Sequence, residues 1–141
     1  MYIKITDGTP AIYPLANLSS DNPQTSFPRN ITDELLATYN IYPFTRSDIP
    51  TFDPLVSELQ DGNFSQDSDG NWSLSYRVVN YPTDLASNSV RYERNFLLQQ
   101  TDYLALSDNT LSTEMVTYRQ ALRDITSQSG FPFNVNWPTK P

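Results

Sequence analysis

Apolar and polar positions alternate in short runs over the first eighty residues, and the spacing then lengthens to that of helices. Tyr2, Ile3 and Ile5 predict a strand, Asp7-Gly8 a tight turn, and Ala11–Leu15 a return strand. Pro10 and Pro14 lack a backbone donor and confine that return to a sheet edge. Ser19–Pro28, rich in turn formers, reads as a loop. Thr32 before Asp33-Glu34 predicts a helix N-cap with acids in the first turn, and the helix is brief because Ile41–Pro43 is extended. Ile49–Pro54 reads as a connector. Asp61-Gly62 and Asp69-Gly70 are hairpin dipeptides. They divide Leu55–Gln60, Asn63–Asp67 and Asn71–Val79 into an expected three-strand meander, with Trp72, Leu74, Tyr76 and Val78 on its buried face.

After Tyr81-Pro82, Leu85, Val90, Phe96, Leu97 and Leu98 predict one broad apolar face of a helix from about Thr83 to Gln100. Thr101-Asp102-Tyr103 interrupts it, and Ser107–Thr110 reads as a polar turn. Leu111, Met115, Tyr118, Leu122 and Ile125 then fall at spacings of four, three, four and three, which predicts a second helix with Ser112 as its N-cap. Gly130 and Pro132 keep the remainder from continuing as helix. The expected fold class is α+β: a small N-terminal antiparallel β-meander region over residues 1–82, then a C-terminal α-helical hairpin and extended tail over residues 83–141.

Composition removes most chemistry. The 141 residues contain no Cys and no His, so disulfides, thiol catalysis, Cys-ligated metals, a Ser-His triad and the commonest general base are all excluded. No glycine-rich phosphate loop is present. Asp67-Ser-Asp69-Gly70-Asn71 begins like a calcium loop, but its glycine stands fourth rather than sixth and no glutamate follows at the needed distance, so it reads as a hairpin turn. A hydrolase with paired carboxylates would need one acid in a dry pocket, which sequence spacing cannot place. Catalytic residues, cofactors and metals are therefore expected to be none. A net charge of −7 argues against nucleic acid as partner. The start MYIKITDG lacks the features of a secretory signal, and no apolar run is long enough for a membrane span, so a soluble cytoplasmic protein is expected. The acids crowd the front of the chain, an arrangement that fits either a solvated surface or a face meeting a basic partner.

The polar residues that stand out lie late in the chain. Arg119 and Arg123 are four apart on the second helix, beside Tyr118 and Asp124. They either pair with local acids and cap backbone carbonyls, or offer planar donors to a partner's carboxylates. In the tail, Phe131, Phe133, Val135 and Trp137 alternate. Such a segment lies in a groove of its own molecule or adds as a strand to a partner.

Residues 91–141 resemble the phage tail assembly chaperone domain. The likeness is carried by Tyr118-Arg-Gln-Ala-Leu-Arg-Asp-Ile125 and Trp137-Pro-Thr-Lys-Pro141, preceded by Arg91-Tyr-Glu-Arg-Asn-Phe-Leu-Leu and Thr101-Asp-Tyr103. Asn95, Tyr103 and Thr126 depart from the pattern, which favours Asp, Trp and Pro there. Without that proline the second helix is expected to run about a turn longer. The resemblance implies a non-enzymatic tail or tail-fibre assembly protein that binds a phage tail or tail-fibre component in the host cytoplasm, with oligomer formation within a tail assembly compatible with it. The alternative it leaves open is a structural virion protein retained in the tail or at the fibre tip. Tyr118, Arg119, Arg123, Asp124 and Trp137 are the expected partner-binding residues.

Overall fold

A computed structural model describes residues 1–106 and 110–141 and gives a mixed α/β chain with two compact units. One unit comprises residues 1–50 and 60–77, the other 51–59 and 78–141. The predicted polar turn at Ser107–Thr110 lies, but for Thr110, outside the described residues.

In the first unit, β1 (Tyr2–Thr6) and β2 (Thr9–Ile12) form the expected hairpin, with Ile3 opposite Ile12 and Thr6 opposite Thr9. Asp7 (φ 49°) and Gly8 (φ 77°) both adopt the left-handed conformation that a two-residue turn between twisted strands requires. Pro10 sits in β2, an edge strand, where a missing donor costs nothing. The predicted loop from Ser19 instead opens with a short helix, α1 (Leu18–Asp21), whose Leu18 is buried with Tyr13, Leu36 and Ile41. Thr32 caps α2 (Asp33–Ala37) as expected, its Oγ1 accepting from the Leu35 amide at 3.3 Å. Asn40, at φ 58°, turns the chain into β3 (Ile41–Arg46), which lies antiparallel to β1.

The meander is where the expectation fails. Asp61-Gly62 is no turn: β4 (Ser57–Gln66) runs straight through it. The Asp61 carboxylate accepts two bonds from the Arg46 guanidinium of β3, which also holds that carboxyl below its usual range. At Gly62 a Cβ would stand 2.5 Å from Ser75 Oγ and 3.1 Å from the Ser75 carbonyl oxygen, so the glycine serves close approach rather than reversal. The Ser75 hydroxyl accepts from the Asn63 amide and donates to the Asn63 carbonyl. The true turn is at Gly70, φ 87°, where Asp67 Oδ1 accepts from the Asp69 and Asn71 amides. β5 (Trp72–Asn80) then pairs in parallel with β3, Phe44 opposite Trp72 and Arg46 opposite Leu74. The result is a five-stranded mixed sheet in the order β2-β1-β3-β5-β4 rather than a simple meander. Ile3, Phe44 and Leu74 are buried on it, with Phe64 edge-on to Phe44. Along β5 the predicted alternation holds for Leu74, but Val78 is exposed.

The second unit is built on α3 (Thr83–Gln99) and α4 (Thr113–Arg123), followed by a 3-10 turn, Asp124–Ser127. That turn, which includes Thr126, continues the helix in tightened form. Ser112 caps α4, accepting from the Met115 amide at 3.2 Å. Val56, Ala86, Val90, Met115, Tyr118, Leu122 and Ile125 form the core, and Leu97, Leu98, Phe131, Val135 and Trp137 pack against it. Leu85 and Phe96 do not join this core: both are about half exposed. Ala86 and Val90 take the inward positions, and at about 100° per residue Val90 lies about 140° round the helix from Leu85 and about 120° from Phe96. Among the described residues no helix is long and apolar enough to cross a membrane.

Candidate interaction site on the second unit

The end of α3 is fixed by a buried cation. Arg119, on the core-facing side of α4, is only 8% exposed. Its Nη1 donates to the Leu98 carbonyl at 3.0 Å and to Thr101 Oγ1 at 2.5 Å, and its Nη2 to Asp102 Oδ1 at 2.8 Å. The Thr101 hydroxyl in turn donates to the Leu98 carbonyl, so its lone pairs are free to receive the arginine. A guanidinium out of water is tolerated when its donors are matched, and the carbonyl end of a helix is the favourable place for positive charge. A planar fork reaches all three acceptors at once, which an ammonium cannot do.

On another flank of α4 lies a groove of about 350 Å³. Thr113, Glu114, Thr117, Tyr118 and Ala121 line it from the helix, and Pro138, Thr139 and Pro141 line it from the tail. The wall is mostly apolar and hydroxyl in character, with Glu114 as its one charged side chain. The Glu114 carboxyl is held below the usual range by the amide of its own residue and then by the Ser112 hydroxyl, which fixes a negative charge at the first turn of α4. The tail reaches this position through Gly130, where a Cβ would clash with the Asn134 carbonyl oxygen. Gln128 then ties the tail down, its Oε1 accepting from the Asn136 amide at 2.8 Å and its Nε2 donating to the Asn136 carbonyl at 3.0 Å.

Of the five residues singled out by sequence, Tyr118 is buried in the core with an edge on the groove. Trp137 is half-buried against the core, immediately before the groove-lining Pro138. Arg119 and Arg123 do not act as a pair: one points into the core and the other is exposed at the end of α4. Asp124 is exposed and accepts from Gln120 Nε2 at 3.0 and 3.1 Å. Sequence reasoning missed Thr101 and Asp102 as partners of Arg119. Their signal was present, two polar residues at a helix end facing an arginine on the next helix, but it reads as a helix interruption until the helices are packed.

The first unit has a larger concavity, about 450 Å³, lined by β3 residues Tyr42–Thr45 and by Asp67, Gly70, Asn71 and Trp72. The buried Trp72 indole N–H finds no acceptor among the described residues. Size alone does not make this the functional site, and the comparison with known families points elsewhere. Residues 87–141 match the model of a family described as phage tail assembly chaperone protein. The match includes α4, the Arg119 cluster, the groove and α3 from Ser87 onward. No curated protein and no solved structure matches the chain.

Proposed function

We propose that this chain is a non-enzymatic phage tail or tail-fibre assembly protein that binds a tail component through the groove between α4 and the C-terminal tail. The observation that carries the reading is a convergence. The two segments most like the family, 118–125 and 137–141, contribute residues to the same groove, and the family match covers both. An apolar groove with few polar groups suits an extended segment of a partner, where burial supplies affinity at about 25 cal/mol per Å² and the polar groups fix register. Glu114 at one wall adds a preference for a basic side chain at that point of the partner. Trp137 and Tyr118 support the groove from within and Arg119 holds the α3 end against α4, while Arg123 and Asp124, exposed at the end of α4, stand outside its lining.

The test is Thr117→Arg. Thr117 is exposed and its hydroxyl bonds only to the Thr113 carbonyl of its own helix, so the change fills the groove while sparing the fold. The variant should melt as wild type yet fail to co-purify a tail component from phage-infected cells. Equal recovery of that component with both proteins would refute the groove. Mass spectrometry of purified virions separates an assembly role, with the protein absent from the particle, from retention in the tail at fixed stoichiometry.

A further inference from the structure

The outward face of α3 carries a second pattern that the groove does not use. Leu85, Asn88, Tyr92, Asn95 and Gln99 recur at spacings of three, four, three and four, with Phe96 beside them, and all six are exposed. Leu85 is 51%, Tyr92 75% and Phe96 47% exposed. The helix is therefore apolar on two sides about 120° apart, one facing the core through Ala86 and Val90 and one facing out through Leu85, Tyr92 and Phe96. A surface helix ordinarily has one apolar stripe. The outward stripe itself contains no charged residue, in a chain whose net charge is −7. Among the described residues the one charged group seen bonded to it is the Arg94 guanidinium, which donates to Asn95 Oδ1 at 3.1 and 2.8 Å.

Its relief is specific. Tyr92, Asn95, Phe96 and Gln99 enclose a hollow of about 240 Å³. Positions i, i+3, i+4 and i+7 are the four that make a hole for a side-chain knob from a facing helix. A knob of matching type stands two turns away on the same stripe, at Leu85. We propose that α3 pairs with α3 of a second copy of this chain, antiparallel about a two-fold axis level with the Ser89–Arg91 turn, the Leu85 of each copy seated in the hollow of the other. The stripe is self-complementary in the way a two-fold contact demands. Apolar side chains meet apolar walls, the amides of Asn88 and Gln99 can both donate and accept, and Asn95, whose oxygen is taken by Arg94, keeps its Nδ2 as a donor. Two acidic chains can approach there because the stripe carries no acid and the charge at its edge, Arg94, is positive. The helix is about 25 Å long. One such stripe covers less than the roughly 800 Å² per partner of a standard interface, so the pairing is weak and reversible.

Sedimentation velocity of the full chain from about 10 μM to about 1 mM, a range that captures weak complexes, tests it. Wild type should shift from monomer to dimer. Leu85→Lys and Phe96→Glu should each weaken association at least tenfold without changing the melting curve, because both positions are half exposed. Val116→Glu, on an exposed position of α4, should leave it unchanged. The double variant Leu85→Lys/Phe96→Glu sets the introduced ammonium of one copy against the introduced carboxylate of the other and should recover association at low salt. A wild type that stays monomeric at about 1 mM, or a dimer indifferent to both single changes, would overturn the proposal. Failure of the double variant to recover would overturn the antiparallel pairing.

Discussion

At Arg119 the guanidinium has exchanged water for a carbonyl, a hydroxyl and a carboxylate, and the three do not count equally. The Asp102 side chain is 62% exposed, so its ion pair is screened and contributes little. The bond to Thr101 is buried and that to Leu98 partly so, and losing them removes the positive charge matched to the carbonyl end of α3. Arg119→Ala should therefore cost about 1–3 kcal/mol in urea unfolding, Arg119→Lys should recover only part of this, and Asp102→Asn should cost well under about 1 kcal/mol. A large effect at Asp102 with a small one at Arg119 would reverse the assignment. A second residue-scale consequence concerns Tyr13, whose hydroxyl donates to Asp21 Oδ2 at 2.8 Å. Burial, and then the Asp21 carboxylate, push the phenol up to about 12. The neutral phenol is the form the fold favours. Its stabilisation is thus complete below the free tyrosine value near 10 and is lost as pH rises through about 12. Ultraviolet titration should show one tyrosine ionising well after most of the others, and Asp21→Asn should bring it back toward them.

At the scale of elements, caps and periodicity were legible and long-range partners were not. Thr32 and Ser112 cap as read, and the stripe Met115, Tyr118, Leu122 and Ile125 is buried throughout. Leu122→Ala in this closed core should cost about 2–5 kcal/mol. On α3 the apolar residues do not form one face, because two stripes about 120° apart overlap in the sequence and periodicity alone cannot say which one meets the core. Asp61-Gly62 misleads for a different reason. The dipeptide signal is local, whereas the residues that hold it extended, Arg46 and Ser75, lie far away in the chain. Gly62→Ala should accordingly destabilise by about 1–3 kcal/mol through crowding against Ser75, whereas an ordinary turn with room for a Cβ would tolerate it. Equal stability of Gly62→Ala and wild type would contradict the close packing of β4 on β5.

For the molecule as a whole, the sequence showed that strands precede helices but not how the strands are ordered. The parallel pairing of β3 with β5 encloses β4 in its connection, and no residue pattern announces a crossover of that kind. The candidate site was partly legible: its two motifs were visible as segments, while their meeting across one groove depends on Gly130 and Gln128 directing the tail back to α4. The central claim is that this groove receives a tail component. Amide hydrogen exchange on the protein alone and in complex with the tail component it co-purifies addresses that claim at the groove itself. The account predicts slowed exchange confined to residues 113–121 and 139–140, with the sheet of the first unit unchanged. Protection appearing on the first unit, with 113–121 exchanging as in the free protein, would contradict it.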